Sequence, residues 1–167
     1  IVENGRKVME NPCDYNAMSE VMWCGSLSHN GITGLGRDKD FSVHKLGHAL
    51  GAKYDYAHGA TLACVWEAWA KYLYLYDVDR FAHYAKKVWG IEGEDKSKMA
   101  LEGIEKTVAY FKEIGMPVNL KEIGINEITD EELMELAMDA TMNGSMKLAK
   151  IKQLDVQDIY MIFKNAK

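Results

Sequence analysis

The sequence predicts an all-α domain of seven to eight helices. Three observations predict it. Apolar residues recur at three-to-four spacing in most segments, and none shows the alternation of a half-buried strand. The segments are divided by helix stops and N-caps, with Gly, Asn or Pro closing one helix and Asp or Thr opening the next. Only two prolines occur, so little interrupts a helix, and ten methionines suit adaptable packing. No internal repeat is present.

The elements follow in order. Ile1 to Glu10 carries Ile1, Val2 and Val8, a weak pattern that fits a helix end, and Asn11-Pro12 breaks it. From Asp14, a fair N-cap, Tyr15, Met18, Val21, Met22 and Leu27 trace a helix ending near His29-Asn30-Gly31. Gly31, Gly34 and Gly36 lie in NGITGLGRDKD. A nucleotide fingerprint needs GxGxxG after a buried strand. Here a helix precedes GxxGxG, so the stretch reads as a turn that lets the chain approach a neighbour closely.

A helix over about Phe41 to Ala52 comes next, with a break at Gly51 and a connector from Lys53 to Ala57. The following helix runs from near Gly59 to Tyr76. Its wide stripe of Leu62, Val65, Trp66, Trp69, Tyr72 and Leu73 predicts central burial. Asp77 or Asp79 caps a helix with Phe81, Tyr84, Val88 and Trp89 on one face, ending at Gly90. Glu94 to Ile114 is a long periodic run stopped by Gly115 and Pro117. A short turn over Asn119 to Ile123 ends at Gly124. Thr129-Asp-Glu-Glu132 matches a capping box and opens a helix to about Met142. Asp155 caps the last helix, which carries Val156, Ile159, Tyr160 and Phe163.

The length of 167 residues suits one domain with a real core, so residues 1–167 read as a single helical domain. Net charge is −5 with the signs interleaved, which argues against a nucleic-acid surface. No apolar run approaches the roughly 20 residues of a membrane span. The start, IVENGRKVMEN, lacks the apolar segment of a signal peptide. Cys13, Cys24 and Cys64 are odd in number and form no CxxC, so they read as reduced thiols in a cytosolic protein, packed as small core residues. The chain does not begin with Met and opens as if within a helix, which suggests a fragment.

Three of the five histidines fall in FSVHKLGHALGAKYDYAHG. His44 and His48 are four apart, so a helix presents them on one face. His58 follows on the loop after that helix. Three imidazoles so placed suit one metal ion, but the residues alone leave metal binding and helix packing both open. His44-Lys45-Leu46-Gly47-His48 is not HExxH, which argues against a metalloprotease. His29 and His83 are solitary and read as structural. Neutral imidazoles alone anchor a divalent ion weakly. The nearest acids, Asp38, Asp40, Asp55 and Glu67, have no compelling spacing, and the site looks incomplete.

The segment VMWCGSLSHNGITGLGRDKDFSVHKLGHALGAKYDYAHGATLACVWEAW resembles the C-terminal helical domain of the iron-containing (group III) alcohol dehydrogenases. It is nearest their butanol dehydrogenase-like branch. The helix before an Asn-Gly turn, the glycine-rich loop, His44-xxx-His48 and His58-Gly59 match together. FAHYAKKVWGI and GMPVNLKEIGI extend the likeness over essentially the whole chain.

The resemblance implies an all-α domain of the dehydroquinate synthase-like, iron alcohol dehydrogenase C-terminal type. It implies His44 and His58 as two of four protein ligands to a catalytic divalent metal, Fe2+ favoured over Zn2+. It places His48 near the nicotinamide and substrate as a catalytic residue, and assigns no cofactor-binding residue here. The implied reaction is NAD- or NADP-dependent interconversion of primary alcohols and aldehydes. The implied partners are a small alcohol or aldehyde, with no nucleic acid and no membrane, in the cytoplasm, and the family leaves room for a homodimer. The alternatives are a zinc-dependent glycerol dehydrogenase-like or dehydroquinate synthase-like domain, or a non-catalytic helical fragment.

The departures matter too. The family's remaining ligands are an Asp and a His four apart on an earlier helix. Asp79–His83 has that spacing but lies downstream in another element. The dinucleotide-binding domain is absent, so the fragment alone is expected to be inactive. Phe41 stands where the branch often has Trp and Glu67 where the family often has Pro, and neither is expected to touch the histidines.

Overall fold

A computed structural model describes residues 1–36 and 38–167. Arg37, inside the glycine-rich loop, lies outside the described residues. Those residues form eight α-helices, two 3-10 turns and a lone antiparallel bridge between Leu148 and Leu154. The all-α expectation holds. No helix among them is long and apolar enough to cross a membrane.

The chain divides into two compact units, Ile1–Lys39 with Glu113–Gly115, and Asp40–Lys112 with Met116–Lys167. In the first, α1 (Val2–Glu10) packs on α2 (Tyr15–His29). The Asp14 carboxylate accepts from the Ala17 N–H at 3.0 Å and opens α2 as a cap should. Arg6 grips Glu113 through two parallel bonds of 2.7 and 2.9 Å. A 3-10 turn over Ile32–Gly34 occupies the glycine-rich stretch. The Lys39 stem crosses Gly34 where a Cβ would lie 2.6 Å from its Cε, so a close-approach turn is what forms.

The second unit holds α3 (Ser42–Tyr54), α4 (His58–Leu73), α5 (Val78–Trp89), most of α6 (Lys96–Glu113), α7 (Asp130–Ala140) and α8 (Val156–Asn165). α3 packs on α4 and α7, and α8 packs on α4 and α7. Their core is built of Leu46, Leu50, Val65, Leu73, Leu133, Leu136, Ile159 and Phe163, all fully buried. The expected capping box forms between Thr129 and Glu132, and the expected cap Asp155 forms a second one with Asp158. Asp77, rather than Asp79, caps α5 through the Arg80 N–H. On that helix Phe81, Ala82 and Ala85 are buried while Val88 is exposed, because Ala85 lies against Gly103 of α6. A Cβ on Gly103 would lie 2.6 Å from the Ala85 Cβ. Beside this crossing the buried Thr107 hydroxyl donates to the Gly103 carbonyl and accepts from Tyr84 and Trp89.

Only Cys64 behaves as a core thiol, with burial pushing it up to about 12 and making it inert. Cys13 is exposed and Cys24 half-buried, because they sit at the foot and rim of α2 rather than in the second unit's core.

One charged cluster locks α8. Asp158 accepts from Lys152 at 2.5 Å and from the Tyr72 hydroxyl at 2.6 Å. Burial alone would push the Asp158 carboxyl up, but the Lys152 ammonium and the Tyr72 hydroxyl outweigh it and hold it below the ordinary value. The same bond raises Lys152. A depressed carboxyl stabilises the fold above its unfolded pKa of about 3.9, and that contribution drains as pH falls through its folded value. A raised lysine contributes below about pH 10.4 and loses its share as pH rises through its folded value. The stability gap between wild type and Asp158→Asn, read from urea melts, should therefore be flat from about pH 5 to 9 and shrink below about pH 4. A gap that widens in acid would contradict this.

Candidate metal centre

Each histidine owes its place to the helix beneath it. On α3, Leu46, Ala49 and Leu50 turn to the core. Burying two leucines is worth about 3–6 kcal/mol, more than any preference of a surface imidazole, so the leucines set the helix rotation. His44 is left half-buried at the rim and His48 exposed one turn on. The start of α3 is held firmly. Asp40 accepts from the backbone N–H of Ser42 at 2.8 Å and of Lys150 at 3.0 Å, while the buried Ser42 hydroxyl accepts from Trp69 Nε1 at 2.8 Å.

α3 is longer than its sequence pattern suggests. It continues through Gly51 to Tyr54, and Asp55 closes it in the left-handed region at φ 56°. Only three residues then link α3 to α4, and His58 is the first residue of α4, not a loop residue. The helices meet at Gly47. A Cβ there would lie 2.6 Å from Leu62 Cδ2 and 3.0 Å from Thr61 Oγ1. Thr61 is fully buried at the crossing, and its hydroxyl donates to the His58 carbonyl at 2.8 Å. The glycine thus lets the first turn of α4 sit directly on α3.

This crossing draws the three imidazoles together. Ring centres lie 5.4 Å apart for His44–His58, 5.1 Å for His48–His58 and 6.2 Å for His44–His48. Two imidazoles bound to one ion at 2.0–2.1 Å place their ring centres about 5 Å apart at a tetrahedral angle. Both pairs that include His58 fit that spacing, and the pair on α3 alone is wider. Among the described residues, no group of three His, Cys, Asp or Glu side chains could hold a metal ion. The arrangement offers two nitrogen donors and no charge, which is part of a metal site.

Two of the acids near the cluster in sequence, Asp40 and Glu67, are engaged elsewhere. Asp40 accepts from the backbone N–H groups of Ser42 and Lys150, and Glu67 pairs with Lys71 at 2.6 Å. Asp79 pairs with Lys96 at 2.6 Å and His83 is exposed on α5, so this Asp-xxx-His pair is committed on another helix. One neighbour contradicts its sequence reading. Phe41 does touch a histidine, standing edge-on to His44 with ring centres 5.1 Å apart at 78°. Its position three residues before His44 at the start of the helix was the available signal.

The family model described as "Fe-containing alcohol dehydrogenase family, C-terminal" matches residues 1–167. The NADH-dependent butanol dehydrogenase A of Clostridium acetobutylicum is 34% identical over 167 residues, covering 99% of this chain and 42% of that protein. The NADPH-dependent aldehyde reductase YqhD of Escherichia coli is 33% identical over 130 residues, covering 75% of this chain and 33% of that protein. The crystal structure of NADH-dependent butanol dehydrogenase A from Thermotoga maritima superposes with a TM-score of 0.90 at 32% identity, covering 99% of this chain and 42% of that one. The chain thus spans about two-fifths of the length of the first of these relatives.

Proposed function

The chain belongs to the iron-containing alcohol dehydrogenase family, matching its C-terminal part, and on that premise we propose that it is the metal-binding portion of an NAD(P)-dependent oxidoreductase interconverting primary alcohols and aldehydes. The observation that carries the reading is the His44–His58 pair, two imidazoles from different helices at a separation one ion can bridge. His44 and His58 hold a divalent metal, Fe2+ by preference, together with an Asp and a His from chain beyond this one. When bound, the metal supplies Lewis acidity toward an alcohol or aldehyde oxygen, and a nicotinamide supplies the hydride chemistry.

The chain's own residues prepare that chemistry. Gly47 and Thr61 seat His58 against α3, and Phe41 stands edge-on to the His44 ring. His48 is exposed, as is His58, and stands clear of the core packing that fixes Leu46 and Leu50. It faces substrate and nicotinamide, where a ring nitrogen can take up or return the hydroxyl proton.

The test uses the full polypeptide containing this chain. His48→Ala should retain its metal while kcat for NAD(P)-linked butanol oxidation falls roughly a hundred-fold. Unchanged turnover would remove His48 from the mechanism. Robust turnover by the 167 residues alone would contradict the whole reading.

A further inference from the structure

Phe41 occupies a position that neither its helix nor the core explains. It is the N-cap of α3, where a side chain able to accept from the first helical N–H groups is favoured, and it makes no cap bond. Asp40 supplies that acceptor instead, to the Ser42 N–H. Nor does burial hold the ring, since Phe41 is 49% exposed while Ser42 beside it is 2%. The ring does touch His44, edge-on with centres 5.1 Å apart. The nearby polar side chains are spent within the fold. The Ser42 hydroxyl accepts from Trp69, the Thr61 hydroxyl donates to the His58 carbonyl, and Asp40 accepts from two backbone N–H groups. Gly59 follows His58, and the half-buried Met116 places its methyl group 3.5 Å from where a Cβ would stand. An apolar group thus borders the cluster beside His44, and another lies one residue from His58.

We propose that Phe41 is a specificity-determining residue, its exposed ring being the surface on which the hydrocarbon chain of the alcohol lies. The inference rests on the proposed function, because it takes the imidazole cluster as the place where the hydroxyl group reacts. A primary alcohol has a polar end and a chain, and imidazoles satisfy only the first. An aromatic ring beside them gives the chain dispersion contact and takes both surfaces out of water. It gives nothing to a second hydroxyl, which would lose its hydrogen bonds to water by lying there. The substrate class that fits is an unsubstituted straight-chain primary alcohol, and a diol or polyol of the same length fits poorly. 1-Butanol and 1,3-propanediol frame the comparison, because they differ only in a terminal methyl against a hydroxyl.

The test measures kcat/KM for both alcohols on one preparation of the full polypeptide containing this chain. Their ratio is independent of the active fraction, which is all that a merely structural role would change. Wild type should favour 1-butanol by roughly 30–100-fold. Phe41→Ala should lower that ratio about ten-fold, mostly through KM for 1-butanol, and Phe41→Leu should keep most of it. Metal content by elemental mass spectrometry should match wild type in both variants. Calorimetric titration with butyramide, a carbonyl compound of the same shape as the aldehyde that accepts no hydride, should give a Kd about ten-fold weaker in Phe41→Ala. An equal loss for both alcohols, or an unchanged ratio, overturns the proposal and leaves the proposed function standing. A wild type that favours 1,3-propanediol does the same. Absence of turnover with either alcohol contradicts the proposed function itself, and the proposal falls with it.

Discussion

Gly47→Val should lower the unfolding free energy by roughly 3 kcal/mol, because the new side chain has nowhere to go. Its Cβ would stand 2.6 Å from Leu62 Cδ2 and 3.0 Å from Thr61 Oγ1. Leu62 can shift its tip, but Thr61 is fully buried and its hydroxyl is bonded to the His58 carbonyl. The helices must therefore part, carrying His58 away from His44. In a domain of this size the loss corresponds to a melting temperature about 6–12 °C lower. Gly51 lies on the same helix and sets the contrast. A Cβ there meets only the Tyr56 carbonyl oxygen at 3.9 Å, an ordinary contact. Gly51→Ala should raise stability by about 0.5–1 kcal/mol, since alanine is the better helix former. Thermal melts of the two variants test whether close approach at Gly47 holds the site together. Equal effects of the same sign would show that it does not.

The second large effect concerns the imidazoles. Removing His58 takes away the member common to both pairs that fit one ion, and removing His44 takes away its partner on the half-buried rim of α3. Neither carries core packing, so each alanine variant should melt within about 1 kcal/mol of wild type when metal-free. Metal binding should suffer far more than folding, which separates a ligand role from a packing role.

Much of this was legible in the sequence, and the reason is locality. The capping box at Thr129 and the cap at Asp155 are each complete within four residues, so reading them needs no tertiary information. The grouping of His44, His48 and His58 follows from helical spacing and a short connector. What escaped depends on distant contacts. Gly51 was read as a break, yet a mid-helix glycine costs only about 1 kcal/mol, less than the burial of Leu50 beside it returns. The same continuation carried α3 to Tyr54 and moved His58 from a loop into the first turn of α4. The role of Gly47 needs Thr61 and Leu62 from the next helix. Asp40 read as a candidate ligand, but it is occupied by the N–H of Lys150, 110 residues away.

The central claim is that His44 and His58 hold a divalent metal and His48 does not. Elemental mass spectrometry of the purified full polypeptide tests it most directly. Wild type and His48→Ala should carry about one divalent ion per chain, while His44→Ala and His58→Ala should each retain less than roughly a tenth of that. Unchanged metal content in His44→Ala and His58→Ala, or a loss in His48→Ala as large as theirs, would contradict the account.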